Sequence, residues 1–167
     1  SVTQARPDAM YLLRPLDVSE ALSYLVERKA LGGHPVAALI DERFVMAAGH
    51  SFGGYTSYAL GGARFDLERL ERACAEISDS LCAQLPLLSP LFESGSRDPR
   101  VSLIAPQSSG GYSMFSGGVR AVEVPTLHVT AMRDQACTED AQNRPYWEAL
   151  SGSPQTAAHR WLSFKEG

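Results

Sequence analysis

The chain has 167 residues, of which 44% are hydrophobic, and this is enough for one globular domain with a buried core. Its formal net charge is -4, and no cluster of Lys and Arg stands out, so nucleic acid is not an expected partner. No apolar run approaches the ~20 residues that span a bilayer, and the N-terminus lacks the apolar core of a signal peptide. The composition predicts a single domain over residues 1–167 without a membrane span, and leaves export open because a mature chain would have lost its signal.

The first part of the chain is predicted to be mainly helical. Apolar spacing over residues 8–29 fits an amphipathic helix, with Pro15 as the point where it could break. The segment Gly32-Gly33-His34-Pro35 ends this helix. Residues 36–40 fit either a strand or a helical turn.

The next segment contains the most informative motif. A strand-like run over residues 44–48 leads into Gly49-His50-Ser51-Phe52-Gly53, and a helix-compatible run over residues 55–60 follows. G-x-S-x-G between a strand and a helix is typical of the nucleophile elbow, a sharp turn that presents a serine hydroxyl at the carboxyl edge of a parallel sheet. The alternative interpretation is a glycine-rich turn with an incidental serine.

The motif predicts specific roles for its residues. Ser51 Oγ is the candidate nucleophile of an acyl transfer, and the backbone N–H of Phe52 is the candidate first donor of an oxyanion hole. Gly49 and Gly53 are expected to remove Cβ atoms that would clash in the turn, and Gly54 to allow close packing of the following helix.

The rest of the chain alternates between strands and helices. Residues 65–82 are helix-prone, and residues 84–100 are expected to form an irregular excursion, so that residues 64–99 are a candidate lid. A Ser- and Gly-rich loop is predicted over residues 107–118. Three further strands and one helix are predicted, at residues 101–105, 126–130 and 159–164 and at residues 140–150. This alternation predicts an α/β fold with a parallel sheet.

Asp134 is the candidate acid of the site. It follows the predicted strand 126–130 closely, and side chains just beyond the carboxyl ends of parallel strands converge on one crevice. A carboxylate there can orient an imidazole and stabilise its cation. The alternative is a solvated loop aspartate, and Glu139 and Asp140 are further candidates for the acid.

None of the four histidines fits the role of the base. His50 is expected to pack or hydrogen-bond beneath the turn, His128 to be buried in mid-strand, and His34 to lie in a loop on the far side. His159 has the right place in chain order, but it begins the last strand, roughly 20 Å from the catalytic edge. The base is therefore expected after the last predicted strand, beyond residue 167.

The three cysteines leave several interpretations open. Cys74 and Cys82 are either a disulfide, which would indicate an oxidising compartment and allow an exported or periplasmic location, or two buried thiols. Cys137 has no evident mate, and cysteine chemistry at this residue lacks an assignable base. No Cys/His spacing resembles a zinc site, and no metal or organic cofactor is expected.

Four segments together resemble the α/β-hydrolases, and within them the dienelactone hydrolase-like and platelet-activating-factor acetylhydrolase-like serine esterases. The similarity covers most of the chain from Arg14 onward, and its segments are Arg14-Pro15-Leu16-Asp17-Val18, Gly49-His50-Ser51-Phe52-Gly53-Gly54, Val124-Pro125-Thr126 with Asp134, and Arg144-Pro145-Tyr146-Trp147. The resemblance implies that the four strands correspond to strands five to eight of that fold. It also implies Ser51 as nucleophile, Asp134 as acid, and a histidine just after Gly167.

The resemblance further implies a partial hydrolase, because strands one to four and the second oxyanion donor have no counterpart here. A sheet reduced to these strands would also expose the first of them as an apolar edge. We therefore expect an incomplete α/β-hydrolase domain whose partners are a small-molecule ester and the remaining part of the same hydrolase.

Several functions remain open. The first is hydrolysis of carboxylic esters through a Ser-His-Asp acyl-enzyme mechanism. Amidase, peptidase or thioesterase activity would use the same residues, and a non-catalytic α/β-hydrolase-like binding module is the alternative if the chain is complete. Five apolar residues could line an acyl pocket or belong to ordinary packing: Phe92, Tyr112, Met114, Phe115 and Trp147.

Overall fold

The computed structural model describes residues 10–32, 34–76 and 80–165 and has a mixed α/β architecture. Within these residues four parallel strands form one sheet in chain order, β1 (Val45–His50), β2 (Val101–Gln107), β3 (Thr126–Ala131) and β4 (His159–Phe164). The same residues contain five α-helices, α1 (Met10–Leu31), α2 (Phe52–Leu60), α3 (Leu67–Glu76), α4 (Ser80–Ser94) and α5 (Arg144–Leu150). The predicted α/β class with a parallel sheet is confirmed.

Helix α1 continues through Pro15 without a break. Proline has no N–H, so the carbonyl of Tyr11, one turn earlier, lacks its usual helical donor. The hydroxyl of Tyr55 on α2 donates to that carbonyl at 2.8 Å. The helix therefore keeps its backbone satisfied through a bond to its neighbour, and residues 8 and 9 of the predicted helix lie outside the described residues.

The strand predictions were close. Strands β1, β2 and β3 extend one or two residues beyond the predicted C-terminal ends, and β4 has the predicted bounds. Strand β2 passes through Pro106, which pairs opposite Gly49, and runs on to Gln107. The ambiguous residues 36–40 contain a 3-10 turn, Ala37–Leu39.

Most of the segment expected to be irregular is helical. Helix α4 runs through Pro86 and Pro90. It packs on α3, and its buried Leu85 and Phe92 belong to the main core cluster. The burial of these side chains outweighs the cost of the prolines. The prediction of an irregular segment was wrong for residues 84–94, whereas residues 95–100 form neither helix nor strand. A lid role for residues 64–99 remains a prediction.

A disulfide between Cys74 and Cys82 joins α3 to α4, with a Cα–Cα distance of 5.1 Å. Of the two interpretations of this pair, the disulfide is the one present. We expect the Cys74→Ser/Cys82→Ser double variant to lose about 2 to 3 kcal/mol of unfolding free energy, because the cross-link restricts the unfolded chain. Urea denaturation measures this loss. A reductant should lower the midpoint of the wild type but not of the double variant. Equal midpoints for the two proteins without reductant would contradict the expectation.

The two faces of the sheet differ in what covers them. One face packs against α2, which α1 covers in turn, and Tyr146 of α5 packs on the fully buried His128 of β3. On the other face apolar side chains are exposed, among them Met46 (55% exposed), Leu127 (42%), Leu162 (45%) and Phe164 (52%). All-parallel sheets are ordinarily covered on both faces, so this face is unusual in its exposure.

Candidate functional site

Ser51 lies in the turn between β1 and α2. Its backbone has φ 56° and ψ -116°, a conformation that is strained for a residue other than glycine. The Ser51 N–H donates to the carbonyl of Gln107 at 2.9 Å, and its carbonyl accepts from the N–H groups of Gly54 and Tyr55 at 3.0 and 3.2 Å. The predicted strand–turn–helix is therefore present, and these bonds hold its strained residue in place.

Two of the three glycines around this turn are required by contacts. A Cβ on Gly49 would lie 2.6 Å from the carbonyl carbon of Gly53, and a Cβ on Gly54 would lie 2.2 Å from Ser109 Oγ. A Cβ on Gly53 would meet nothing within 4 Å, so the expected clash at Gly53 was wrong. The close approach is of the Gly53 backbone to Gly49, and the close packing expected at Gly54 is against the loop that follows β2.

That loop, residues 108–111, supports the turn from the neighbouring strand. The N–H of Ser108 donates to the carbonyl of Val129 at 2.8 Å, which extends the pairing of β2 with β3. The N–H of Gly110 donates to the Ser51 carbonyl at 3.3 Å. The backbone of Ser51 is thus fixed by β2 as well as by its own helix.

Asp134 follows β3 by three residues and is held by its own loop. Its Oδ1 accepts from the N–H groups of Ala136 and Cys137, each at 2.8 Å. The Cys137 N–H, followed by the Ala136 N–H and the Ser108 hydroxyl, lowers the pKa of Asp134 against a weaker opposing effect of burial. Asp134 is therefore ionised at neutral pH, as an orienting carboxylate must be.

The loop between β3 and the π-helical turn, residues 132–138, is called the Asp134 loop. It reaches the Ser51 hydroxyl through Cys137. The buried Cys137 Sγ lies 3.8 Å from Ser51 Oγ. A cavity of about 480 Å³ opens at the same edge of the sheet, on its exposed face. Its described lining includes Asp134, His50, Ser108 and Phe164, but not Ser51. The structure therefore brings the loops of the candidate nucleophile and acid together, with an open cavity beside the acid.

In the described part of the chain, no imidazole is within hydrogen-bonding distance of the Ser51 hydroxyl. His128 is buried in mid-strand as expected, 2.8 Å from the Tyr58 hydroxyl, and burial lowers its pKa to about 4. His159 begins β4, as expected, and burial lowers its pKa. His34 accepts from the N–H of Ala37.

His50 departs from its prediction. It was expected beneath the turn, but it is exposed and lines the cavity with Asp134. Side chains alternate along β1, and His50 belongs to the face that no helix of the described residues covers. The predicted place beneath the turn was therefore wrong.

Glu139, a further candidate for the acid, forms hydrogen bonds and an ion pair that hold secondary-structure elements together. Its Oε2 accepts from the hydroxyls of Ser163 (2.7 Å) and Thr130 (3.3 Å), and its Oε1 pairs with Arg144 at 3.1 Å. Glu139 thereby joins β3, β4 and the start of α5. Asp140 is exposed and pairs with the same arginine at 3.0 Å. Asp134 remains the better candidate, since its loop is the one that contacts Ser51.

The apolar residues considered for an acyl pocket belong to the core. Phe92, Met114 and Phe115 are buried in its main cluster, and Tyr112 and Trp147 pack against it. The alternative of ordinary packing therefore holds for these five residues.

Sequence reasoning missed the contact between Cys137 and Ser51 and the buried amide of Asn143. Asn143 accepts from the N–H of Ser109 and donates to the carbonyl of Cys137. The Ser- and Gly-rich run after β2 indicated a loop at this edge, but nothing local in the sequence indicated these partners. Asn143 looked like one polar residue inside a predicted helix.

Among the residues with described positions, no group of three or more His, Cys, Asp or Glu side chains could hold a metal ion, and no helix is long and apolar enough to cross a membrane. No protein-family model matches the chain, and comparison with curated proteins gave no match.

Proposed function

We propose that this chain carries the nucleophile and the acid of a serine hydrolase with an α/β-hydrolase fold, acting on carboxylic esters. The observation that carries the proposal is the strained backbone of Ser51, held between a parallel strand and a helix N-terminus by the close approach of Gly49 and Gly53. Strain of this kind persists where the surrounding structure enforces it and is common at catalytic residues. On this proposal the four strands correspond to strands five to eight of the hydrolase sheet, and the group is that of the dienelactone hydrolase-like and platelet-activating-factor acetylhydrolase-like esterases.

The reaction would follow the acyl-enzyme route. An imidazole takes the proton of Ser51 Oγ as the oxygen attacks the ester carbonyl carbon. The N–H of Phe52, at the positive end of α2, stabilises the developing oxyanion together with a second donor. The C–O bond then breaks, the alcohol leaves with the proton from the imidazolium, and water attacks the acyl-enzyme to release the acid and restore Ser51.

Asp134 would orient that imidazole and stabilise its cation. It is ionised, it belongs to the loop that contacts Ser51, and it borders the cavity at the same edge. We propose the remaining part of the same hydrolase as the source of the imidazole and of the second oxyanion donor.

Other leaving groups fit the same residues. Amides, peptides and thioesters would be attacked by Ser51 in the same way, and a panel of such substrates separates these activities from esterase activity. A non-catalytic binding module is the second candidate. It is favoured by one observation, the lack of an imidazole within reach of Ser51 among the described side chains.

A fluorophosphonate probe tests the proposal, because it reacts with activated serines. We expect the wild-type chain to be labelled at Ser51, as located by peptide mapping, and the labelling to accelerate when free imidazole is added as a base. The Ser51→Ala variant should lose the labelling. The Ser116→Ala variant is the matched control, since Ser116 also has a positive φ (45°) but lies outside the site.

The outcomes separate the two candidates. Labelling that depends on Ser51 and rises with imidazole supports the hydrolase. A folded chain that is not labelled even with imidazole would favour the binding module and overturn the catalytic role of Ser51.

The disulfide supports a proposal about location. Disulfides such as that between Cys74 and Cys82 form and persist in oxidising compartments. We therefore propose that the protein works outside the cytosol, in an exported or periplasmic setting.

A further inference from the structure

Asn143 is a completely buried polar residue beside the candidate site. Its Oδ1 accepts from the backbone N–H of Ser109 at 2.8 Å. Its Nδ2 donates to the carbonyl of Cys137 at 2.7 Å and, more weakly, to that of Thr138 at 3.4 Å. Buried amides are costly unless they are satisfied, so these bonds fix the side chain strongly.

An unusual backbone conformation directs this side chain inward. Residues Glu139–Asn143 form a π-helical turn, in which the N–H groups of Gln142 and Asn143 both donate to the carbonyl of Thr138. Such turns are rare and are often found at functional sites. Helix α5 begins at the next residue with ordinary geometry. The π-helical turn therefore lets the Asn143 side chain point inward without altering the packing of α5.

The two partners of Asn143 belong to the two loops that build the site. Ser109 lies in the loop after β2, where the neighbouring Gly110 donates to the Ser51 carbonyl at 3.3 Å. Cys137 closes the loop of Asp134, donating to its carboxylate at 2.8 Å and placing its sulfur 3.8 Å from Ser51 Oγ. One amide thus connects the support of the candidate nucleophile to the loop of the candidate acid.

We propose that Asn143 is a positioning residue that fixes the Asp134 loop relative to Ser51. Its acceptor holds the loop after β2 and its donor holds the Asp134 loop, so this one side chain joins the supports of the two reacting groups, alongside the hydrogen bond of the Ser108 hydroxyl to Asp134. The inference rests on the proposed function in naming Ser51 and Asp134 as the reacting pair, but the mechanical coupling of the two loops does not depend on that function.

The reactivity of Cys137 reports this coupling without any assay of catalysis. Cys137 is the free cysteine of the described chain and is buried, while the other two cysteines form the disulfide. A neutral thiol reagent can therefore modify Cys137 only when the Asp134 loop opens. The rate of modification under native conditions measures that opening.

Three variants make the test. Asn143→Ala removes both bonds, and Asn143→Asp in its ionised form keeps the acceptor for Ser109 but loses the donor to Cys137. Ser153→Ala is the matched control, since it removes a buried hydrogen bond, from its hydroxyl to the Val122 carbonyl at 2.9 Å, away from the site. Both Asn143 variants should raise the modification rate of Cys137 by roughly tenfold or more, as expected for the loss of one buried hydrogen bond, and the control should not.

Hydrogen exchange separates the two bonds. The Ser109 amide should exchange faster in Asn143→Ala but stay protected in Asn143→Asp, where its acceptor is kept. If Asn143→Ala does not fold, Asn143→Asp still decides the question through the reactivity of Cys137.

The proposal is overturned if the Asn143 variants leave Cys137 as unreactive as in the wild type, or raise its reactivity only as much as Ser153→Ala does. Probe labelling of Ser51 is measured on the same samples. Absent labelling in the wild type would count against the hydrolase, whereas the reactivity of Cys137 would still decide the role of Asn143.

Discussion

Replacing Gly49 with alanine should destabilise the protein by about 3 kcal/mol or more, because an added methyl group cannot be accommodated without moving backbone. The Cβ would lie 2.6 Å from the carbonyl carbon of Gly53 and 2.7 Å from its oxygen. Neither atom belongs to a flexible side chain that could turn away. Relief would require the turn at Ser51 to open, so the variant should also lose probe labelling at Ser51 in any fraction that stays folded.

Gly53→Ala is the matched control within the same motif. A Cβ there meets nothing within 4 Å, and Gly53 lies in α2, where alanine is a better helix former than glycine. We expect this variant to be as stable as the wild type or up to about 1 kcal/mol more stable. Urea denaturation of the two variants provides the comparison, and equal losses of stability would show that the turn is not held by the approach of Gly49 to Gly53.

The strand–turn–helix at Ser51 could be predicted because its cause is local. Apolar residues before the motif, glycines within it and small residues after it specify the strand, the tight turn and the packed helix. The same is true of β3 and β4, whose residues form short, clearly bounded runs. The position of Asp134 followed from this, since a residue just after a parallel strand must lie at its carboxyl edge.

Features that depend on tertiary contacts could not be predicted. Helix α4 contains two prolines, and its local sequence indicates irregular structure, yet burial of Leu85 and Phe92 stabilises the helix. Pro15 is tolerated in α1 because the Tyr55 hydroxyl donates to the Tyr11 carbonyl, which the proline leaves without its helical bond. Tyr55 lies 40 residues beyond Pro15 in the sequence. In both cases the deciding partner is distant in sequence.

In the candidate site, too, local features could be predicted from the sequence and tertiary contacts could not. The sequence indicated Ser51 and Asp134 individually, but the contact between their loops runs through Cys137 and Asn143, which carry no local signal. The error at His50 has a related origin, because the run Val45–His50 shows no alternation of polar and apolar residues that would indicate an exposed face of the sheet.

Lowering the pH from 6.5 to 4 should cost the protein about 3 kcal/mol of stability through His128 alone. His128 is completely buried, and burial lowers its pKa from 6.5 to about 4. The unfolded chain therefore binds the proton more readily than the folded protein throughout this range. The contribution of neutral His128 to stability is fully present above its unfolded-state pKa of 6.5. It falls as the pH drops through this range and levels off below the folded-state pKa of about 4.

Other titratable groups change the stability of the protein in different pH ranges or by smaller amounts. The Arg100 guanidinium holds the pKa of Asp98 at about 2, so the stabilisation by that pair is lost only as the pH falls from 3.8 toward 2. His159 adds to the loss in the same range as His128, since burial lowers its pKa as well. The slope of stability between pH 6.5 and 4 therefore belongs to the two buried histidines.

The His128→Gln variant isolates the larger contribution. Glutamine does not titrate and can keep a hydrogen bond with the Tyr58 hydroxyl, so the variant should lose most of the pH dependence between 6.5 and 4. The His34→Gln variant, changed in a loop outside the core, should follow the wild type. The measurement is the urea midpoint at a series of pH values. A wild-type midpoint that stays constant over this range would mean that His128 is charged or solvated in the folded protein, contrary to its burial between Tyr58 and Trp161.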